Sequence, residues 1–166
     1  MRAPKFAVVV TLASLLLPAA ALAGVNVRFV APERFADQDF RSPYKREPLM
    51  KELERFLQRV GELYLRPGQT LRIEVLDVDL AGRYEPFNTR FNDVRVMRDV
   101  TPPRVKLRYR LEAAGRTLAS AEETVSDLNY LMNIQARNSG EWLPYEKAML
   151  RDWFRRRFGE GQRPRG

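Results

Sequence analysis

The sequence predicts an α+β fold: a two-layer sandwich with a mixed sheet of four or five strands and helices packed on it. Three patterns lead there. A strand, an amphipathic helix and a second strand follow one another between residues 25 and 80, which makes a β-α-β unit with parallel strands. The strands after residue 93 connect too briefly for a crossover, so they are antiparallel. A last helix with a broad apolar face supplies a further cover for the sheet.

Val25, Val27 and Phe29 alternate with Asn26, Arg28 and Val30, the period of a first strand. Pro32 ends it, and residues 31–46, polar and with two prolines, form a surface connection. Pro48 suits the first turn of a helix. From there Leu49, Leu53, Phe56, Leu57, Val60 and Leu63 form one apolar stripe until Pro67-Gly68 stops it, so Leu53 and Phe56 are core. In residues 70–80 (TLRIEVLDVDL), Leu71, Ile73 and Val75 share a face with Asp77 and Asp79, while Leu76, Val78 and Leu80 lie opposite. Either a bulge resets the phase, or the strand is covered first on one face and then on the other.

Residues 81–93 have loop composition but carry Tyr84, Phe87 and Phe91. Val94–Met97 is a short strand, and Pro102-Pro103 breaks the chain. Val105, Leu107, Tyr109 and Leu111 then face one way; Arg104, Lys106, Arg108 and Arg110 face the other. Ala114-Gly115 makes a tight turn and Thr117–Val125 returns antiparallel. Residues 126–140 are irregular with a helical turn. Pro144 opens a final helix over Tyr145–Phe158, apolar at Met149, Leu150, Trp153, Phe154 and Phe158.

Residues 1–23 have the form of a signal peptide. Arg2 and Lys5 precede an apolar run, Phe6–Leu17, and Ala21-Leu22-Ala23 is a small-x-small cleavage site before Gly24. The run is shorter than the roughly 20 residues that span a bilayer. The expected organisation is a cleaved leader, a single domain over 24–158 with no transmembrane segment, and a flexible basic tail over 159–166. The chain has no cysteine and no histidine. That excludes disulfides, thiol nucleophiles, a Ser-His-Asp triad and Cys- or His-ligated metals. No cofactor or metal is expected. Losing Arg2 and Lys5 lowers the net charge from +8 to +6. With export, this basic balance points to an anionic envelope component or an envelope protein rather than nucleic acid.

Several segments resemble a known family when taken in order. They are DVDLAG (77–82), NDVRVMRD (92–99), Pro102-Pro103, RVKLRYRL (104–111), SDLNYLMN (126–133) and YEKAMLRDWF (145–154). Together they resemble the exported bacterial family known as domain of unknown function 3016, over essentially the whole chain after residue 23. The resemblance implies a bacterial, periplasmic protein. It carries over no activity, ligand or catalytic residue.

Four constellations carry chemistry. Asp77 and Asp79 lie on one strand face about 7 Å apart. They suit a hard cation or acid–base work, or, more plainly, ion pairs with nearby arginines. Arg104, Lys106, Arg108 and Arg110 form a basic strand face able to hold phosphate or carboxylate in bidentate fashion. With a two-residue turn at Ala114-Gly115, Lys106 opposes Glu123, and Arg108 and Arg110 oppose Ala121 and Ala119 and are left uncompensated by the hairpin. The plainer reading is a solvated face whose arginine stems cover the alanines. Glu146 falls on the apolar side of the last helix, in its first turn, either as a half-buried acid or paired with an arginine of the sheet. Asp127, Asn129, Tyr130 and Asn133 form a polar cluster in which Asp127 caps a turn or lines a pocket.

Arg155–Arg157 with Trp153, Phe154 and Phe158 resemble a basic surface helix, although the aromatic residues suit the core. Two functions follow. The first is a non-catalytic binding domain using the basic face and the aromatic loop over 83–91, with Tyr84 and Phe87. The second is a hydrolase using Asp77, Asp79, Asp127 or Glu146. The absence of a phosphate loop and of a GxSxG motif favours binding.

Overall fold

The computed structural model describes residues 23–85 and 94–159. The first 22 residues of the leader, Phe87 and Phe91 of the aromatic loop, and the tail from 160 lie outside them.

Strand β1 (Gly24–Phe29) leads through two single 3₁₀ turns, Pro32–Arg34 and Gln38–Phe40, into helix α1 (Pro43–Glu62). Strand β2 (Gln69–Asp79) returns parallel to β1, so the β-α-β unit forms as the pattern requires. Strands β5 (Arg104–Ala113) and β6 (Arg116–Ser126) add antiparallel. The sheet has four strands in the order β1-β2-β5-β6. A separate ribbon pairs β3 (Arg83–Tyr84) with β4 (Arg95–Val96), so β3 forms where composition suggested only loop. A 3₁₀ turn at Tyr130–Met132, the short helix α2 (Ile134–Asn138) and helix α3 (Pro144–Phe158) complete the order.

One sheet face carries the core. Leu71, Ile73 and Val75 of β2 and Val105, Leu107 and Tyr109 of β5 are buried against Leu53, Phe56 and Leu57 of α1 and Leu150, Trp153 and Phe154 of α3. The aromatic residues of α3 are therefore core rather than a membrane-facing stripe. Gly61 lets α1 close on its neighbours: a Cβ there would stand 2.8 Å from Val25 Cγ2 and 3.2 Å from the Phe154 ring.

Three details differ from the sequence pattern. Helix α1 begins at Pro43, a full turn before Pro48, which sits inside it. Proline at the first helical position suits the orphan N–H groups there. Pro48 is the sixth helical residue, past the four orphan N–H groups, so its missing N–H removes one bond of the ladder, to the Tyr44 carbonyl. On β2 the register shifts between Val75 and Asp77, so the bulge is the device that resets the phase. It keeps Val78 buried and turns Asp77 toward the face of Arg72 and Glu74. The β5–β6 hairpin turns at Ala114-Gly115, both in the left-handed region at φ 48° and 73°. A second bulge follows at Leu118, because Leu111 pairs with Ala119 but Glu112 with Thr117. The bulge-free register fails: Lys106 opposes Thr124, Arg108 opposes Glu122 and Arg110 opposes Ser120.

Candidate functional site

A cleft of about 430 Å³ opens between the first turns of α1 and α3 and the β3–β4 ribbon. Its floor is built from charge. Asp37 and Asp39 lie on the connection before α1, and both are buried. Asp37 accepts from the Asp39 and Leu80 amides at 2.9 and 3.1 Å. Arg95 of β4 reaches in from the other side. Its Nη2 donates to both oxygens of Asp37, at 2.6 and 2.7 Å, and to Asp39 at 2.9 Å. Its Nη1 donates to the carbonyl of Gly82 at 3.1 Å. Gly82 is required there: it has φ 74°, and a Cβ would meet the Val96 carbonyl oxygen at 2.8 Å.

Tyr84 and Lys45 finish the cluster. The Tyr84 hydroxyl donates to Asp39 at 2.9 Å, Lys45 Nζ lies 3.3 Å from the same carboxylate, and the Arg95 guanidinium lies over the Tyr84 ring at 4.8 Å. Burial pushes the Asp39 carboxyl up. The hydrogen bonds from Arg95 and Tyr84 and the Arg95 charge outweigh it, so its pKa lies below the ordinary value. Burial works against the Arg95 charge too, yet Asp37 and Asp39 raise its pKa further. Burial and the hydrogen bond to Asp39 push the Tyr84 phenol up.

Glu146, in the first turn of α3, also reaches the cleft and is only 2 % exposed. Its Oε1 accepts from the Ala81 amide at 2.7 Å. Burial raises its pKa, against the opposing hydrogen bond from Ala81 and the charge of Arg95. The expected partner, an arginine of the basic sheet face, is replaced by a backbone amide. Around this floor the walls are mostly apolar and aromatic, from Tyr44, Pro48, Leu80, Met97, Trp142 and Tyr145, with the half-exposed Glu141 paired to Lys147 at 3.4 Å. Tyr44 is 90 % exposed and Trp142 49 %.

The other expected groups do not join the cleft. Asp77 accepts from the Ala36 amide at 2.7 Å, and Asp79 pairs with Arg83 at 3.0 Å and Arg104 at 3.3 Å. Asp127 accepts from the Asn129 amide, and Asn133 caps α2 by accepting from the Ala136 amide. These are local turn bonds. Tyr130 is buried, donates to the Arg98 carbonyl at 2.7 Å and packs edge-on against Tyr145. Among the described residues, no two of Asp77, Asp79, Asp127 and Glu146 share a hydrogen-bond partner. No group of three metal-ligating side chains converges there either.

Arg104, Lys106, Arg108 and Arg110 do share one open sheet face, but acids interleave them. Arg108 bridges Glu74 at 3.0 Å and Glu122 at 2.7 Å, and Lys106 meets Glu122 at 2.8 Å. Arg110 has Glu112 at 3.9 Å. The reading of Arg108 as uncompensated by the hairpin is thus corrected, because the Leu118 bulge sets it opposite Glu122; Arg110 opposes Ser120, and its nearest acid is Glu112 of its own strand. Of the aromatic side chains of that loop, Tyr84 falls within the described residues.

Sequence reasoning missed Asp37, Asp39, Arg95, Tyr44 and Trp142. The only signals were an Asp-x-Asp pair in a polar connection and two aromatic residues on no apolar stripe.

A family model described as a protein of unknown function, DUF3016, matches residues 23–156. The chain belongs to that family. Neither the curated proteins nor the solved structures hold a match to it. Among the described residues, no helix is long and apolar enough to cross a membrane.

Proposed function

We propose that the protein is an exported periplasmic domain that binds an envelope component without transforming it, and that this component enters the aromatic cleft. Export rests on the form of residues 1–23. A cut after Ala23 leaves β1 whole, since Gly24 is its first residue. The cleft carries the binding reading through one observation. The two acids on its floor are held by internal partners, while much of its accessible lining is aromatic. Asp39 is tied to Arg95, Tyr84 and Lys45, and Glu146 to the Ala81 amide. A preformed apolar recess with a few fixed polar groups is the usual form of a ligand site.

One observation favours the hydrolase reading. Asp39 and Glu146 have pKa values pushed in opposite directions, the pattern of an acid–base pair. Neither is free to act as one. The lowered pKa of Asp39 comes from partners that occupy its oxygens, and Glu146 is almost wholly buried.

The test is a Tyr44→Ala/Trp142→Ala double variant. Both side chains are exposed, so the fold is expected to survive. Retention of the envelope component captured by the wild type falls at least about tenfold, as it does when aromatic anchors are truncated. Unchanged retention with an unchanged melting temperature removes the cleft from the proposal.

A further inference from the structure

We infer that the outer face of the helix layer docks on an anionic lipid bilayer, its cations held against the headgroup phosphates. Helices α1 and α3 run parallel and side by side. Glu52 meets Lys147 at 2.8 Å, Phe56 lies under the Arg151 guanidinium at 5.6 Å, and Gly61 sits against the Phe154 ring. Their inner sides cover the sheet, and on their outer sides the exposed side chains carry a single sign. Between Leu49 and Gly61 these are Lys51, Arg55 and Arg59, one row spaced by four residues. Along α3 they are Arg151, Arg155, Arg156 and Arg157. The acids of the same turns are less exposed: Glu52 pairs with Lys147, Glu54 accepts from Gln58, and Asp152 pairs with Arg155. The exposed acids Glu47 and Glu62 lie at the two ends of the α1 row. Lys51, Arg59 and Arg156 make no ion pair among the described residues. A helix dipole favours cations in a last turn, which accounts for Arg59 and Arg155–Arg157 but not for Lys51 or Arg151.

This face is charge without an apolar anchor, and that selects the partner. A protein partner is held by aromatic or aliphatic side chains at the centre of the contact, and charged residues are depleted there. Single-stranded nucleic acid needs exposed rings on which its bases stack. A headgroup layer needs neither. Its phosphates move laterally to meet fixed cations, and each Lys or Arg near it strengthens binding by about fivefold. Neighbours in the α1 row stand about 6 Å apart and packed helices about 8–10 Å, so the cations reach separate headgroups. The leader read in residues 1–23 would bring the domain to a compartment bounded by such surfaces. The cleft opens at the first turns of the same two helices, so docking through their outer face leaves its mouth open. This surface goes beyond the cleft reading and shares no residue with it.

The test is co-sedimentation of the purified protein with phosphatidylcholine vesicles containing about 30 mol % phosphatidylglycerol, and with pure phosphatidylcholine vesicles. The protein is expected to bind the first and not the second, and to leave the first as salt rises. Arg59→Gln/Arg156→Gln takes one unpaired cation from each helix. It is expected to weaken binding at least about tenfold with the melting temperature unmoved. Arg59→Lys/Arg156→Lys keeps the charge and keeps the binding. Arg34→Gln/Arg41→Gln removes the same net charge from exposed residues on the connection before α1, and weakens binding less than about threefold. Equal weakening by the two Gln variants overturns the inference, because net charge alone would then explain the retention. So does the absence of wild-type binding to the anionic vesicles, or failure of the Lys variant to bind. Tighter binding to a DNA duplex than to the vesicles at the same salt overturns the choice of lipid. None of these outcomes bears on the cleft, which is tested by Tyr44→Ala/Trp142→Ala.

Discussion

Arg95 ties together three pieces of chain. It reaches two buried acids on the connection before α1 and the carbonyl of Gly82 after β2. Replacing it with Met leaves Asp37 and Asp39 buried without their main counter-charge. The cost is about 3–5 kcal/mol, read by urea denaturation. Arg95→Lys recovers only part of this, because one ammonium cannot serve two carboxylates and a carbonyl in fixed directions. A loss under about 1 kcal/mol for Arg95→Met would show that the cluster does not organise the ribbon. Glu146 makes a second, opposite case. Burial raises its folded pKa above the ordinary 4.5. The folded state then binds the proton more tightly than the unfolded state. This contribution to stability is fully present below pH 4.5 and is lost as pH rises through the folded pKa. Asp39, with a lowered folded pKa, behaves in reverse. Its contribution is present above 3.8 and is lost as pH falls through the folded value. Glu146→Gln keeps an acceptor for the Ala81 amide and removes the buried charge. It is expected to melt no lower than wild type at pH 7 and to lose the decline in melting temperature above pH 4.5. An unchanged decline would place its origin in another group.

At the scale of elements, the positions of the two bulges decide which charges meet, and only one of them left a mark in the sequence. The β2 bulge shows as a change of phase between Val75 and Val78. The Leu118 bulge leaves no such mark, because its strand, RTLASAEETVS, is too weakly alternating to define a face. The hairpin turn itself is strained at one residue. Ala114 sits at φ 48° in a two-residue turn where Asn, Asp or Gly is preferred. Ala114→Asn makes an Asn-Gly turn and is expected to raise stability by about 1 kcal/mol in urea denaturation. A loss of stability would show that Ala114 is not held in the left-handed region in solution. The apolar stripe of α1, the alternation of β5 and the Pro144 start of α3 were legible because one strong period covers each. The start of α1 was not. Residues 43–47 carry no apolar stripe, and the helix there is held by its continuity with the packed turns that follow. The cleft was equally illegible. Asp37, Arg95 and Glu146 are far apart in sequence, and only the β2 bulge, the ribbon and the two helix starts bring them together.

For the whole molecule, the sign of the net charge is a poor guide to where a partner binds. The chain carries +8, and four of its basic residues, Arg104, Lys106, Arg108 and Arg110, lie on the open face of the sheet. Folding then sets Glu74, Glu112 and Glu122 among Arg28, Arg72, Lys106, Arg108 and Arg110. Most of these side chains are about half exposed, so water and salt already weaken each pair. An anion arriving on this face must compete with glutamates already paired to Lys106 and Arg108. The Arg108→Gln/Arg110→Gln variant therefore separates two outcomes. If the face is a lattice of internal pairs, the melting temperature falls, because Glu74 and Glu122 lose the cation that links β2, β5 and β6. Retention on anionic lipid vesicles then declines with salt for both proteins, and the variant is weaker only by what the loss of two units of net charge accounts for. If the face is an anion site, the variant keeps its melting temperature and loses retention at low salt, within the roughly 10 Å over which exposed charges act. We expect the first pattern. Arg108 has two carboxylates within 3.0 Å before any ligand arrives, whereas the cleft presents exposed aromatic side chains, Tyr44 and Trp142.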